Sequence, residues 1–591
     1  MKRRTARNAV FLALLLVLFA GARSEAASWW RLPLWGAEVK VFAVDPFQAD
    51  HLYCGTSRGN FYGSADGGST WTPLRQGAAF PGFIATGLIA DPRTPGRLWA
   101  SLAGQYQGGL VVRSDDGGAS WMILARWRSS VATRALALAP ARGGAQPLLA
   151  VGGDDGVRLS SDGGDTWTMT GEMTPGLYQV ESLAFAPDDP DTLYAGTWRQ
   201  AFRTRDGGRT WNRIAEGMVL DASVYAWDFD ATDSKDIWVW TCGWVYRTQD
   251  GGNRWTRFKT GFTNRRSHNV RRDPKRPGVI YAGTVGGLHR STDGGENWAR
   301  ISRETLVVTA MEVDHRSGRL YVGTEGEGVF YSDDGGVTLM PGSVGLAEGR
   351  VSDLIADPKD PGRLFFFRAY AGGESGVWEA QGMRVRRLSL DPLPPAATLV
   401  AFLDPAGATV LMISSFNGLR VSFDGGERWV VPQNAPTGTP LALYGKEFGE
   451  PVLVTTTGVF RTADGRSFSA VPGRPSAPSS AELLADGGGS PILEVRTSEG
   501  SFRWDGNAWD ARRRTLLAGG RFLEAYRGDP APAPVRTPVR EVDGNLVWEE
   551  AGHRRAVRSP RPGLSIASTF ATPEGRLYVG TAGDGLFLFE P

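Results

Sequence analysis

The sequence predicts an all-β fold: tandem β-propellers of four-stranded blades, about thirteen units, arranged as two rings of six to seven blades. Three observations lead there. One phrase recurs eight times: a hydroxyl residue, any residue, Asp, Gly, Gly, two variable residues, then Trp in all copies except the one ending at Leu339. Its aspartates are Asp66, Asp116, Asp162, Asp206, Asp250, Asp293, Asp334 and Asp424, the first seven 41 to 50 residues apart and the last gap of 90 fitting two units of 45. With 591 residues, the chain is also too long for one ordinary core.

One unit shows how each element arises. Leu183–Ala186 is an apolar-rich strand, and Pro187-Asp-Asp-Pro190 is a turn cluster in which Asp bonds back to nearby amides. Leu193–Thr197 and Ala201–Thr204 are the second and third strands. Asp206-Gly-Gly208 is a tight turn needing positive φ, which glycine supplies without steric cost. Residues 210–214 form a fourth strand. The second strand recurs as Val279–Thr284 and Arg319–Thr324, and the turn before it as Asp91-Pro92, Asp273-Pro274 and Asp357-Pro358. Later units erode: Thr462–Phe468 and Trp504–Trp509 are decayed copies, and strands within 515–560 can be placed only loosely.

The two ends of the chain complement each other. The last unit has three strands, ending in Gly585–Phe589, whereas Ser28–Pro33 reads as a fourth strand lacking its first three. Joining them removes an open sheet edge; an unpaired last strand with a loose N-terminal arm is the competing reading. The expected organisation is therefore a signal segment at 1–26, a first propeller at 27–345 with its last blade completed by 564–591, and a second, degenerate propeller at 346–563.

Charge excludes some functions. The formal net charge is +2, but residues 1–26 carry five basic side chains and one acidic one, so the remainder is at −2. A near-neutral protein has no bulk electrostatic case for nucleic acid or an anionic membrane. Lys2-Arg3-Arg4 and Arg7, the apolar run Ala9–Ala22 and the small residues before Ala26 read as a secretory signal. That predicts an exported protein, periplasmic or extracellular, with no membrane insertion after cleavage. Cys54 and Cys242 occupy different units at different positions, predicting two separate thiols. The five His are scattered without ligand spacing, so neither metal nor cofactor is expected.

The recurring turns resemble the Asp-box, or BNR, repeat. The resemblance implies a structural role for the eight aspartates, whose carboxylates would accept turn amides while the Trp packs between sheets. The wider blade pattern, Leu-Tyr-Ala-Gly-Thr followed by Arg-Ser/Thr-x-Asp-Gly-Gly, looks like the photosystem II stability/assembly factor family, whose single rings bind protein partners. Sortilin-like receptors suggest the alternative of one large ten-bladed ring. Xyloglucan-specific endoglucanases resemble the expected double-ring architecture. However, their Gly-rich run is missing near Trp35–Val39, and their catalytic Asp would fall near Ser57-Arg-Gly-Asn60, where no acid stands. Trp30-Arg-Leu-Pro33 resembles one arginine signature of sialidases, but the closing-strand role already explains it.

Ligands should meet the face formed by the loops between second and third strands and between successive blades. That face should carry Tyr178, Gln179, Glu181, Trp198, Arg199, Tyr225, Trp240, Trp244, Arg265, Arg266, His268, Glu325 and Glu327. The densest charge is Arg265–Arg276, seven of twelve residues being Lys, Arg or His. The leading expectation is an exported, non-enzymatic scaffold for a protein or peptide partner, recognised through Arg265, Arg266, Arg271 and Arg272. The alternative is a glycan-active hydrolase or glycan-binding relative using Trp198, Trp240 and Trp244 as sugar platforms.

Overall fold

The computed structural model describes residues 28–590 except 33, 75–79, 105–106, 129–130, 142–145, 221, 231, 242, 259–266, 347, 370–375, 389–396, 416–417, 474, 486–489, 499, 513–538, 543–544, 551–552, 561–563, 573–575 and 583–584. The signal-like segment at 1–26 and the second thiol, Cys242, lie outside the described residues; Cys54 is a buried free thiol. Among the described residues there are thirteen antiparallel sheets and no helix, hence none able to cross a membrane. The chain divides into two compact units, one of 35–348 and one built from residues up to 34 together with 349–369 and 375–591.

The unit of 35–348 is a seven-bladed propeller. Its blades span residues 39–73, 83–126, 133–170, 180–213, 224–258, 267–300 and 308–341, and each holds four consecutive strands. Each innermost strand packs beside those of the two neighbouring blades, and Val308–Val313 returns to Val39–Val44. The fourth blade matches its sequence reading with two differences. Its second strand, Asp189–Thr197, starts inside the expected turn cluster, and its fourth strand is only Asn212–Arg213. The core lies between blades rather than within one: Tyr194 and Ile214 of blade 4 pack against Trp227, Val239 and Tyr246 of blade 5.

The eight Asp-Gly-Gly turns share one hydrogen-bond pattern. In the first, Ser64 Oγ donates to Asp66 Oδ1 (2.8 Å), Gly68 N donates to Ser64 Oγ (2.9 Å) and Thr70 N donates to Asp66 Oδ1 (2.9 Å). The others repeat it around Asp116, Asp162, Asp206, Asp250, Asp293, Asp334 and Asp424. Six of the tryptophans close their turns in two ways. Trp71, Trp211 and Trp255 donate Nε1 to Gly342, Thr170 and Ile214 of the preceding blade in the ring. Trp167, Trp298 and Trp429 donate instead to the second glycine of their own turn.

A second aspartate recurs at the end of the innermost strands. Asp273 Oδ1 accepts the amides of Lys275 (2.9 Å) and Arg276 (3.1 Å), and Oδ2 accepts the Tyr281 hydroxyl (2.7 Å). Asp45 does the same for Phe47, Gln48 and Tyr53. The Asp-Pro turns of the sequence thus carry a side-chain cap for the first connection.

The other unit holds six sheets among its described residues, four of four strands and two of three. Here the ends of the chain meet: Ser28–Arg31 pairs antiparallel with Leu586–Glu590, and the Trp29 ring lies tilted against that of Phe589, centroids 5.2 Å apart. The expected shared strand therefore forms, but the blade that it completes belongs with 349–591 and not with the first ring. Its innermost strand Ile566–Ala571 lies beside Arg350–Ala356. Short apolar ends such as Leu586, Leu588 and Leu577 are wholly buried there. Two units and thirteen sheets also replace the alternative of one ten-bladed ring.

Candidate functional site on the loop face of the seven-bladed unit

Every innermost strand of the 35–348 unit carries a β-bulge at the same register. The extra residues are Lys40, Thr86, Arg134, Glu181, Tyr225, His268 and Thr309. All seven are polar, whereas the matching extra residues of the other unit include Leu441 and Ala567. Bulges re-aim side chains and concentrate beside functional sites. This ring of polar positions stands where the strands enter from the loop face.

Around blades 3 to 5 the loops are tied into one belt. Asp154, first in the loop after Leu149–Gly153, accepts Ala132 N (2.9 Å) and Arg134 Nε (2.7 Å). Arg134 Nη1 donates to Glu181 Oε1 (2.9 Å), so one guanidinium holds carboxylates from two blades. Gln179 N donates to Asp154 O (3.0 Å), Trp198 N to Gln179 O (3.1 Å), and Ser223 Oγ to Trp198 O. Gln179 adopts a φ of 51°, a left-handed conformation that is uncommon outside glycine and fits a constrained loop. Burial lifts the Glu181 carboxyl above its ordinary range, against the opposing pull of Arg134.

Apolar side chains flank this polar belt. Tyr178 and Trp198 are about half exposed, at 49% and 51%, and Met173, Val219 and Leu220 stand out on the neighbouring inter-blade loops. Arg199 is exposed beside Trp198. Flat aromatic faces with carboxylates and guanidinium groups at their edge suit a sugar ring, which offers C–H faces for stacking and hydroxyls for hydrogen bonds. A carboxyl raised above its usual range beside a second carboxylate is also the raw material of glycosidic bond cleavage.

The structure thus brings together Tyr178, Gln179, Glu181, Trp198 and Arg199. Other expected site residues fall elsewhere. Trp240 is wholly buried between blades 5 and 6, packed with Ala226, Val270 and Ala282, because it points into the strand interface and not the loop. Trp244 is half-buried under the Arg257 guanidinium at 4.4 Å. Arg271 and Arg272 occupy the far end of their strand and are neutralised there. Arg271 pairs with Glu312 (3.4 Å), and Arg272 with Asp228 (2.8 Å) and Asp230 (3.1 Å). They form no open basic patch. Arg265 and Arg266 lie outside the described residues, as does the side chain of His268.

Arg134 and Asp154 escaped the sequence reading, although a signal was present. The residue opening each loop after the second strand is Ser57 in blade 1, Asp154 in blade 3, Trp198 in blade 4 and Glu325 in blade 7. Aligning the blades on that position places acids in two of them, even though blade 1 has none.

No protein family model matches the chain. Over 188 residues it is 26% identical to a probable oligoxyloglucan-reducing end-specific xyloglucanase of Neosartorya fischeri, an alignment covering 26% of this chain and 23% of that protein. The fold is similar to that of the GH74 xyloglucanase of Xanthomonas campestris, with 17% identity, a TM-score of 0.57, and 96% of this chain and 100% of that one covered. An ancestral GH74 enzyme gives 14% identity and a TM-score of 0.65 over 95% and 99% of the two chains. The GH74 enzyme of Niastella koreensis gives 16% and 0.52 over the same shares. These comparisons overturn the expectation of a non-enzymatic scaffold for a protein or peptide: the partial sequence relative is named a xyloglucanase, and the solved structures similar in fold over nearly the whole chain are GH74 enzymes.

Proposed function

We propose that this chain is an exported glycan-active protein of the glycoside hydrolase kind, binding a xyloglucan-like polysaccharide across the loop face of its seven-bladed unit. The observation that carries the reading is the belt in which Arg134 holds Asp154 and Glu181 beside the exposed rings of Tyr178 and Trp198. The curated relative's xyloglucanase name and the GH74 fold likeness over nearly the whole length support it. Export rests on the pattern of residues 1–26. In this reading Trp198 and Tyr178 stack on sugar rings, Glu181 donates a proton to the leaving oxygen as the glycosidic bond breaks, and Asp154 takes the proton of the water whose oxygen bonds to the anomeric carbon.

A panel of soluble polysaccharides incubated with residues 27–591 tests the reading through binding and reducing-sugar release. Trp198→Ala should weaken binding about tenfold. Glu181→Gln should keep binding and slow release by about 100-fold or more. Absence of both binding and release across the panel would overturn the proposal, and release undiminished in Glu181→Gln would overturn the assignment of the acid.

A further inference from the structure

Among its described residues the seven-bladed unit has no shared closing strand; that device belongs to the other unit. Its ring closes instead through the segment after blade 7. Trp71 Nε1 donates to Gly342 O (2.8 Å) and Trp71 N to Val344 O (2.7 Å), while Thr70 and Val344 form a parallel bridge. Gly36 N then donates to Leu346 O (2.6 Å), and Glu348 N donates back to Gly36 O (3.1 Å). Residues 342–346 and Glu348 therefore meet blade 1 from its outer turn to its innermost approach.

The segment ends on a carboxyl that water hardly reaches. Glu348 is 2% exposed. Its Oε1 accepts Thr56 Oγ1 (2.9 Å) and Asn60 Nδ2 (2.7 Å), while Oε2 and the neighbouring Asn60 Oδ1 are buried without a hydrogen bond of ordinary geometry. Arg58 Nη1 donates to the Glu348 main-chain carbonyl (3.3 Å). The charged or titratable groups facing the carboxyl are Arg58 on the loop and Cys54 and Tyr62 on the adjacent strands of blade 1. Burial keeps the Cys54 thiol neutral. Ionisation there costs full desolvation, opposed by the neutral donors Asn60, Thr56 and Tyr62 and by the charge of Arg58.

We propose that residues 342–346 together with Glu348 are a protonation-controlled clasp, locking blade 7 to blade 1 while Glu348 is protonated and loosening when it ionises. The geometry sets where the effect falls, and the titration sets its direction. Burial pushes the Glu348 carboxyl up to about 7, with Asn60, Thr56, Arg58 and Tyr62 pulling the other way. A glutamate released into water titrates at about 4.3. Between those values the closed clasp holds the proton and the open one does not, so closure weakens as pH rises through that window and levels off above it. The seven-bladed ring is thus most firmly closed in mildly acidic surroundings. The inference does not depend on the glycan reading.

Hydrogen exchange at the amides of Gly36, Trp71 and Glu348, corrected for intrinsic rates, tests it. In the wild type, protection should fall at least tenfold between pH 5 and pH 8, while Ala195 and Val239, in the central strands of blades 4 and 5, hold theirs. Glu348→Gln, which mimics the protonated carboxyl, should keep the three amides within about twofold across that range. A flat wild-type profile, or the same fall in Glu348→Gln, would overturn the clasp. Should Glu348→Gln fail to fold, the wild type decides alone: a fall confined to the three clasp amides supports the proposal, and an equal fall at Ala195 and Val239 defeats it.

Discussion

At the scale of single residues, the turn aspartates and the aspartates ending the innermost strands do similar work at different depths. The former titrate below their ordinary range: hydrogen bonds from Ser120 and Ser114 hold Asp116 at about 2, and those from Thr210 and Thr204 hold Asp206 at about 2. Their carboxylates are at the surface, so most of that preference is local geometry fixed by the turn and screened by water. Asp273 is the costlier residue to lose. Its side chain is fully buried while holding two amides, the Arg276 guanidinium and the Tyr281 hydroxyl. Asp273→Ala should leave those donors unpaired and lower stability by about 2–4 kcal/mol in denaturant unfolding, whereas loss of one surface carboxylate should have a smaller effect. Sequence reasoning anticipated the Asp-Pro turns but had no means of ranking the two classes, because burial depends on tertiary packing that the turn sequence does not contain.

At the scale of elements, the paired glycines of each turn carry different constraints. Gly294 has a φ of 72° and open space around its missing side chain. Gly295 has a φ of 93°, and a Cβ there would lie 2.5 Å from Cη2 of Trp238 in the preceding blade. Gly294→Ala should therefore cost about 1 kcal/mol for conformation alone. Gly295→Ala should cost clearly more, about 2–3 kcal/mol, because a buried indole must move; paired thermal unfolding of the two variants measures the difference. The Asp-Gly-Gly phrase displays both glycines alike, and only the packing of one blade on the next separates them. The bulges show the same limit. The strands were legible as apolar runs, but the extra residue that turns Arg134 and Glu181 toward each other follows from pairing with the second strand, which alternation alone does not specify.

At the scale of the molecule, two units of unequal regularity share one chain. The 35–348 unit has seven complete four-stranded blades and seven near-consensus turns, while 349–591 keeps one such turn, at Asp424, and includes three-stranded sheets. Thr462 and Asp464 hold a loosened version, with a hydroxyl-to-carboxylate distance of 3.4 Å. The unit of 349–591 should therefore unfold first on heating or in denaturant, seen as earlier loss of hydrogen-exchange protection in its central strands, such as Val410–Ile413, than in Leu193–Ala195. Simultaneous loss in both would mean that the units unfold as one cooperative body.

The sequence by itself determined the class of fold, the blade period, the turn chemistry and the pairing of the two chain ends, because these depend on local spacing: a hydroxyl, an aspartate and two glycines within five residues, repeated about every 45. Tertiary structure decided which ring the shared blade completes, which tryptophans are open, and which charges are already spent. Trp198 and Trp240 both follow or end a second strand, yet one meets solvent and the other a neighbouring sheet. Arg271 and Arg272 look like an open cationic patch until Asp228, Asp230 and Glu312 arrive from blades 5 and 7. Glu348 lies 292 residues from Thr56 in sequence, and only closure of the ring brings its carboxyl beside the Thr56 hydroxyl. Such pairings are set by the circular order of blades, which no local window of sequence contains.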